Sequence, residues 1–276
     1  MNENKTLGDA QPRKDVFCVN GYEATVLVPP NANGKWIWKT EFFYAFDKSE
    51  SDLYDKGYTR VYYGISDKYG SPDAVGLMYG FYLELMKRYD LEKKGSLFGF
   101  SRGGLYAFNF ALAHPECVAK IYLDAPVLDL RSWPRNDPAY GDEVFLHRQV
   151  MTEYGFASEE EFSDYKGYPV CRLKEFFALG LPTLLIAGDA DATVAFKDNS
   201  DRMIRYAEEN GEDLVYYVKV GADHHPHSFG NAWLKGGTDP DPETFLVYSS
   251  ETAGTDGGNA RETANSSSIV TEFIEK

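Results

Sequence analysis

The pentapeptide Gly99-Phe100-Ser101-Arg102-Gly103 constrains the fold of this chain more than any other stretch. It follows the apolar run 96–98 and precedes a helical pattern over residues 104–113. A serine between a strand and a helix must turn so sharply that its backbone is strained, and side chains two positions before and after it would collide. Strand, Gly-x-Ser-x-Gly and helix in this order predict a nucleophilic Ser101 that projects above a sheet. The alternative is a glycine-rich turn without chemistry.

The rest of the sequence alternates strand and helix patterns, which predicts an α/β fold with a mostly parallel central sheet flanked by helices on both faces. The predicted strands are residues 16–19, 22–28, 35–39, 59–65, 96–100, 119–124, 182–188 and 214–220. The predicted helices are residues 74–89, 103–113, 196–209 and 268–274. We expect a single domain over residues 15–276, preceded by a flexible tail over residues 1–14.

Two stretches interrupt this alternation. Residues 126–178 follow the sixth predicted strand and are long, aromatic and mixed in charge. We expect them to form a lid over the site, and the alternative is a peripheral helical insertion. Residues 229–266 are rich in glycine, threonine, aspartate and serine, which predicts an irregular surface excursion.

Composition narrows the classes of partner. The chain has 276 residues, 43% of them hydrophobic, and its formal net charge of -15 comes without any basic stripe. Nucleic acid and anionic membrane are therefore disfavoured as partners, and a small molecule is favoured. The N-terminus lacks an apolar signal region, which predicts a cytoplasmic protein as written, while a mature secreted or periplasmic form stays open. A monomer and a homodimer fit equally well.

A serine nucleophile needs a general base, and three of the chain's five histidines lie together in one loop. His224, His225 and His227 follow the last predicted strand, at the sheet edge where active sites of open α/β sheets collect. The same three residues could form a metal cluster. Adjacent histidines on a loop seldom converge, and no cysteine or Glu/His pair at ligand spacing joins them. We therefore expect neither a metal nor an organic cofactor.

The base in turn needs an acid to orient it, and three aspartates qualify. Asp191 lies in the turn 188–194 after a predicted strand and is preferred. Asp189 is nearer to that strand, but its carboxylate could equally cap the turn. Asp124 follows the strand 119–124 and is a second position from which a carboxylate could reach the same imidazole.

These motifs together resemble the α/β-hydrolase superfamily, in particular its prolyl-oligopeptidase-like or acyl-esterase-like branch. The resemblance is carried by residues 36–43, 99–106, 122–126, 188–194 and 224–228. It implies the α/β-hydrolase fold and the chain order of nucleophile Ser101, acid Asp191 and base His224. The long segment 229–266 departs from the pattern, because the final helix usually follows the histidine loop closely.

The resemblance also implies an oxyanion hole and residues that line the site. One backbone N–H would come from Arg102, and a second from the turn after strand 35–39, near Thr40. His225 and His227 would support the histidine loop or line the site.

Two residues of strand 35–39 are further candidates for the site lining. Trp38 could belong to a sugar platform, although a half-buried strand face explains it better. Lys39 could bind an anionic substrate group, and so could Arg102, although a salt bridge to an acid such as Glu41 is the simpler expectation for both.

The expected activity is that of a serine esterase, which cleaves small acyl esters, some of them carbohydrate-linked, through an acyl-enzyme. Three rivals stay open: a serine peptidase of the prolyl-oligopeptidase type, a different reaction on the same fold, and a non-catalytic binding protein. Amide against ester turnover separates the first rival from the esterase.

Overall fold

The computed structural model describes residues 11–225, 227, 245–250, 261–263 and 267–276. Its strands are β1 (Arg13–Val19), β2 (Tyr22–Val28), β3 (Trp36–Lys39), β4 (Thr59–Tyr63), β5 (Gly95–Phe100), β6 (Val118–Asp124), β7 (Thr183–Gly188), β8 (Val215–Lys219), β9 (Phe245–Ser249) and β10 (Arg261–Thr263). Its helices are α1 (Lys48–Asp55), α2 (Pro72–Arg88), α3 (Gly103–Ala113), α4 (Glu143–Tyr154), α5 (Glu159–Asp164), α6 (Leu173–Phe177), α7 (Ser200–Asn210) and α8 (Ser267–Glu275).

All ten described strands form one sheet, in the order β1-β2-β4-β3-β5-β6-β7-β8-β9-β10. The six central strands from β4 to β8 pair in parallel. The strands β1 and β2 on one side, and β9 and β10 on the other, pair antiparallel. Every residue of β5 and β7 is buried, as expected for parallel strands covered on both faces. The predicted mostly parallel sheet is therefore confirmed.

Alternate residues of the central strands build two separate cores. Trp38 and Leu97 belong to the larger core, which also holds the buried faces of α2, α3, α6 and α7. Ile37 and Phe98, their neighbours in sequence, point to a smaller core under α1 and α8. Since successive strand side chains point to opposite faces, this alternation shows helices on both sides of the sheet.

The margins of the predicted domain need correction. The first strand begins at Arg13, so the segment proposed as a tail of residues 1–14 contains the start of β1, and residues 1–10 lie outside the described chain. Within the predicted excursion 229–266, two stretches extend the sheet as β9 and β10. The run Phe245–Ser249, whose valine and aromatic residues favour a strand, pairs with β8. It was not predicted as a strand because the residues on either side of it are rich in glycine and aspartate. The other residues of that segment lie outside the described chain.

The insertion 126–178 follows β6, as predicted, and carries α4, α5 and α6. It packs on the body through apolar side chains that join the larger core, such as Phe176 stacked on Phe108. Polar contacts add to this packing: Tyr69 donates to Gln149 at 2.6 Å, and Lys68 pairs with Glu153 at 2.9 Å. Among the described helices, none has both the length and the apolar composition needed to cross a membrane.

Candidate active site

Ser101 occupies the tight turn between β5 and α3. Its φ is 51°, a left-handed conformation that costs energy in a residue other than glycine. The Ser101 N–H donates to Asp124 O at 2.9 Å, and the Val127 N–H donates to Ser101 O at 2.8 Å. The end of β6 and the residues just after it therefore hold the strained turn in place.

Both glycines of the pentapeptide are required by close contacts. A Cβ on Gly99 would lie 3.0 Å from the Gly103 carbonyl oxygen and 3.0 Å from the Cβ of Ala107. A Cβ on Gly103 would lie 2.9 Å from Thr40 Oγ1 and 3.2 Å from Glu41 Cβ. The turn therefore brings β5, α3 and the loop after β3 closer than side chains at these positions would permit.

The imidazole of His224 lies between Ser101 and Asp191. Its Nε2 is 3.0 Å from Ser101 Oγ, and its Nδ1 is 2.7 Å from Asp191 Oδ2. Ser101, Asp191 and His224 are 8%, 7% and 5% exposed, so the hydrogen bonds between them are largely shielded from water. The structure thus joins the three residues that the sequence proposed as nucleophile, acid and base in one hydrogen-bonded chain.

The loop after β7 fixes the direction of the Asp191 carboxylate. Its Oδ1 accepts from the N–H groups of Thr193 at 3.0 Å and Val194 at 2.8 Å. The other oxygen, Oδ2, is therefore left facing His224.

Asp189, the nearer competitor, serves the loops instead of the imidazole. Its Oδ1 accepts from the Gly221 N–H at 2.6 Å, which ties the loop after β7 to the loop after β8. Asp223 adds a second tie, since its Oδ1 accepts from the N–H groups of Ala192 at 3.0 Å and His224 at 2.7 Å. The alternative assignment of Asp189 as the acid is therefore not supported by its contacts.

Asp124, the other alternative acid, forms a separate pair with His227. Their Oδ1 and Nδ1 atoms lie 2.9 Å apart, and both residues are buried at the end of β6 and in the histidine loop. Burial alone would raise the pKa of Asp124, but His227, Lys219 and a hydrogen bond from Tyr122 lower it to about 2. Burial lowers the pKa of His227, outweighing Asp124. A neutral imidazole therefore donates from Nδ1 to an ionised carboxylate.

The three histidines of the loop converge, contrary to the expectation for adjacent residues. The ring of His224 lies 4.9 Å from that of His225 and 4.8 Å from that of His227. His224 and His227 are buried, whereas His225 is exposed and stacks on Phe46. The loop turns all three imidazoles toward one another because two of them are held by separate aspartates.

Thr40 does not supply the second oxyanion donor that the sequence predicted. Its N–H donates to Phe98 O at 3.0 Å, which continues the pairing of β3 with β5. Its hydroxyl contacts Phe98 O at 3.1 Å and Gly103 O at 2.8 Å. Thr40 therefore ties the loop after β3 to the elbow but has no N–H to offer a substrate.

The next two residues are better placed to supply that donor. The N–H groups of Glu41, Phe42 and Arg102 donate to no backbone or side-chain acceptor within the described chain. Phe42 has a φ of 56°, a second strained position beside the elbow. Burial raises the pKa of Glu41 against the pull of Arg102, whose Nη2 lies 3.4 Å from the carboxylate, and Ser66 donates to it at 2.9 Å.

Lys39 lies beneath this loop and does not line the site. It is 1% exposed, forms an ion pair with the buried Glu50, and donates to Ala45 O at 2.5 Å. Burial lowers its pKa, opposed by Glu50. Arg60 holds the same loop by donating to Phe43 O at 3.2 Å. Two buried cations thus anchor carbonyl oxygens of the loop after β3.

Trp38 also belongs to the core instead of the site lining. It is 1% exposed and packs edge-on against Phe81 and Phe110, with ring centroids 5.1 and 5.3 Å apart. A sugar platform on this residue is therefore excluded. The other expectation, a half-buried strand face, places Trp38 correctly on the strand but predicts too little burial, because α2 and α3 both cover that face of the sheet.

Sequence reasoning missed the buried anchors of the loop after β3 and the second aspartate–histidine pair. A lysine at the end of the apolar strand Trp36–Lys39 was the available signal for the first, since an isolated buried cation needs a partner. The second offered no local signal, because Asp124 and His227 are 103 residues apart.

Comparison with known proteins finds the fold but no near relative. No protein-family model matches the sequence, and no curated protein matches it. Solved structures do match. An acylaminoacyl peptidase of Pyrococcus horikoshii is 16% identical with a TM-score of 0.56, over 78% of this chain and 37% of its own. A puromycin-hydrolyzing peptidase of Mycobacterium tuberculosis is 14% identical with a TM-score of 0.58, over 77% of this chain and 36% of its own.

A shorter enzyme matches over nearly its whole length. S-formylglutathione hydrolase (FrmB) of Staphylococcus aureus is 16% identical with a TM-score of 0.58, over 77% of this chain and 91% of its own. This chain thus spans only about a third of the matching peptidases, and most of the esterase. The likenesses establish the α/β-hydrolase fold that the sequence resembles.

Proposed function

We propose that this protein is a serine hydrolase that cleaves carboxylic esters through an acyl-enzyme, with Ser101 as nucleophile, His224 as general base and Asp191 as orienting acid. The observation that carries the proposal is the chain of hydrogen-bond distances, 3.0 Å from Ser101 Oγ to His224 Nε2 and 2.7 Å from His224 Nδ1 to Asp191. A free serine hydroxyl is a poor nucleophile, and this arrangement places a proton acceptor within hydrogen-bond distance of it.

The proposed reaction has two halves. His224 Nε2 takes the proton from Ser101 Oγ as the oxygen attacks the ester carbonyl, and then gives it to the leaving alcohol. Water next attacks the acyl-enzyme and gives its proton to Nε2, which passes it to Ser101 Oγ as the bond to the acyl group breaks and the acid product leaves. Asp191 accepts from Nδ1–H throughout, which fixes the tautomer and stabilises the imidazolium.

The negative charge on the carbonyl oxygen needs donors on the side of Ser101 away from His224. We assign this role to the N–H of Arg102 and to the N–H groups of Glu41 and Phe42. This assignment is supported by the close approach of Gly103 to the Glu41 backbone. It is also supported by the absence, within the described chain, of any other acceptor for these three N–H groups. One such donor typically contributes about 2.7–4 kcal/mol to transition-state stabilisation.

Ester cleavage is preferred over peptide cleavage because the structural likeness extends over nearly the whole of one matching esterase. The matching esterase, S-formylglutathione hydrolase, is covered over 91% of its length, whereas the matching peptidases are covered over 37% and 36%. A peptidase of the prolyl-oligopeptidase type is the second candidate, favoured by the same structural likeness. Small acyl esters, including carbohydrate-linked ones, are the proposed substrates.

Labelling with a fluorophosphonate, with p-nitrophenyl acetate turnover in parallel, tests the proposal. Wild-type protein should label and turn over, and Ser101→Ala should do neither, with kcat lower by about 10⁶. Ser163→Ala, a change at an exposed serine, is the matched control and should behave as wild type. A folded wild-type protein that neither labels nor hydrolyses the ester would overturn the proposal. Faster turnover of an aminoacyl p-nitroanilide than of the matching ester would favour the peptidase.

A further inference from the structure

The three converging histidines present nitrogen atoms to one point in space. One ring nitrogen from each of His224, His225 and His227 lies within 4.8 Å of the others. His224 and His227 are buried, while His225 is exposed and gives this point an opening to solvent. Three imidazoles at such spacing are a donor set suited to a divalent transition-metal ion.

Two of these imidazoles are already oriented as metal ligands are. The Nδ1 of His224 faces Asp191 at 2.7 Å, and the Nδ1 of His227 faces Asp124 at 2.9 Å. A carboxylate behind one ring nitrogen fixes the tautomer, so that Nε2 keeps its lone pair, and it also increases the basicity of that nitrogen. The catalytic geometry needs only one such pair, and the second has no part in the proposed reaction.

Tetrahedral zinc, with Zn–N bonds of about 2.0–2.1 Å, holds its ligand nitrogens about 3.4 Å apart. The observed spacing within 4.8 Å therefore requires the rings to approach by at most about 1.4 Å. The exposed ring of His225 contacts the rings of Phe46, His224 and His227 but is not held by an aspartate as the other two imidazoles are, so it is the ring best able to make this movement. Water would occupy the fourth position.

We propose that His224, His225 and His227 bind a divalent transition-metal ion of the zinc class, and that the bound ion switches hydrolysis off. Binding uses the lone pair of His224 Nε2, the same lone pair that would accept the proton of Ser101. The imidazoles bind as neutral groups, so no bond is broken and no redox partner is needed. The inhibition rests on the proposed hydrolase function, whereas the binding site does not.

Metal binding is measured on the full chain, independently of activity, by calorimetric titration with Zn²⁺ and by the d–d absorption of Co²⁺. Chelator-treated wild-type protein should bind one equivalent with a tetrahedral cobalt spectrum. His225→Gln should weaken binding by at least about tenfold, and Asp124→Asn by about 10–100-fold through loss of support for His227. His114→Gln, which lies outside the cluster, should bind as wild type. The exposed thiols of Cys18 and Cys171 are unchanged in all variants.

Activity against p-nitrophenyl acetate is then measured with and without Zn²⁺. Wild-type and His114→Gln protein should lose activity with zinc and recover it with chelator, and His225→Gln should need at least about tenfold more zinc for the same loss. The proposal would be overturned if wild-type protein bound no metal. It would also be overturned if His225→Gln and Asp124→Asn bound metal as tightly as wild type. If the protein binds metal but hydrolyses no ester once a chelator has removed that metal, the proposal of a metal-free hydrolase would be overturned and the metal site would stand. Zinc bound at the site without inhibition would refute the switch.

Discussion

Two histidines of the histidine loop each pair with an aspartate from another element, and the two pairs are alike in chemistry but different in position. Asp191–His224 and Asp124–His227 are both buried, both join Nδ1 to a carboxylate oxygen, and their distances are 2.7 and 2.9 Å. The two rings lie 4.8 Å apart. Of these two imidazoles, only that of His224 has a ring nitrogen within hydrogen-bond distance of Ser101 Oγ. Contact with the nucleophile, and not the pair itself, therefore distinguishes the proposed catalytic histidine.

Replacing His224 and His227 in turn should give the largest difference in activity between the two pairs. His224→Gln should lower kcat for p-nitrophenyl acetate by about 10⁶, because Ser101 loses its proton acceptor. His227→Gln should lower it by less than about 100-fold, the smallest effect typical of an acid–base group. Steady-state kinetics on both variants, with circular dichroism to verify folding, makes the comparison. Equal losses would show that the two pairs act as one unit.

Replacing each aspartate should give a smaller but parallel contrast. Asp191→Asn should lower kcat by about 10⁴ while leaving the geometry intact, because the amide favours the wrong tautomer of His224. Asp124→Asn should lower kcat by less than about 100-fold, since its partner does not contact Ser101. The same kinetic assay on metal-free protein separates the two. A greater loss in Asp124→Asn would transfer the role of acid to Asp124.

A change on the other side of Ser101 tests whether the histidine pairs account for all of the catalysis. Gly103→Ala places a Cβ 2.9 Å from Thr40 Oγ1 and 3.2 Å from Glu41 Cβ, which displaces the loop after β3. We expect kcat to fall by about 10–100-fold, somewhat less than for full loss of an oxyanion donor. Gly76→Ala is the matched control, because its Cβ meets nothing within 4 Å. It should retain activity and gain about 1 kcal/mol of stability. An unaffected kcat in Gly103→Ala would remove the assigned donors.

The sequence predicted those parts of the site that are local in the chain. The strained turn at Ser101 and the loops that carry Asp191 and His224 each follow one strand, so alternating patterns place all three at the same sheet edge. The same reasoning failed at Thr40, since its N–H is taken by Phe98 in a register that only the paired strands define. For Lys39 it correctly preferred a salt bridge over substrate binding but named Glu41 as the example acid, whereas the partner is Glu50 of the following helix.

Long-range pairing explains the other differences. Asp124 was correctly expected at the sheet edge, yet which imidazole it meets depends on how the loop after β8 folds back over β6. The strands β9 and β10 were overlooked because their flanking segments have the composition of irregular chain. Local propensity thus predicted the central elements, while the partners of buried charges depended on tertiary structure.

The Asp124–His227 pair should make a pH-dependent contribution to the free energy of unfolding. The pKa of Asp124 is about 2 in the folded protein, below its ordinary value of 3.8, so the folded state binds fewer protons than the unfolded state between these values. Its contribution, on the order of 2 kcal/mol, is complete above the unfolded pKa and is lost as pH falls toward 2. The difference in unfolding free energy between wild type and Asp124→Asn, from urea titrations between pH 4 and pH 2, should therefore narrow as the pH falls. The narrowing should be smaller in a His227→Gln background, because that imidazole leads the groups that lower the pKa of Asp124 against its burial. A difference that stays constant with pH would mean that the carboxylate of Asp124 is not held ionised by His227.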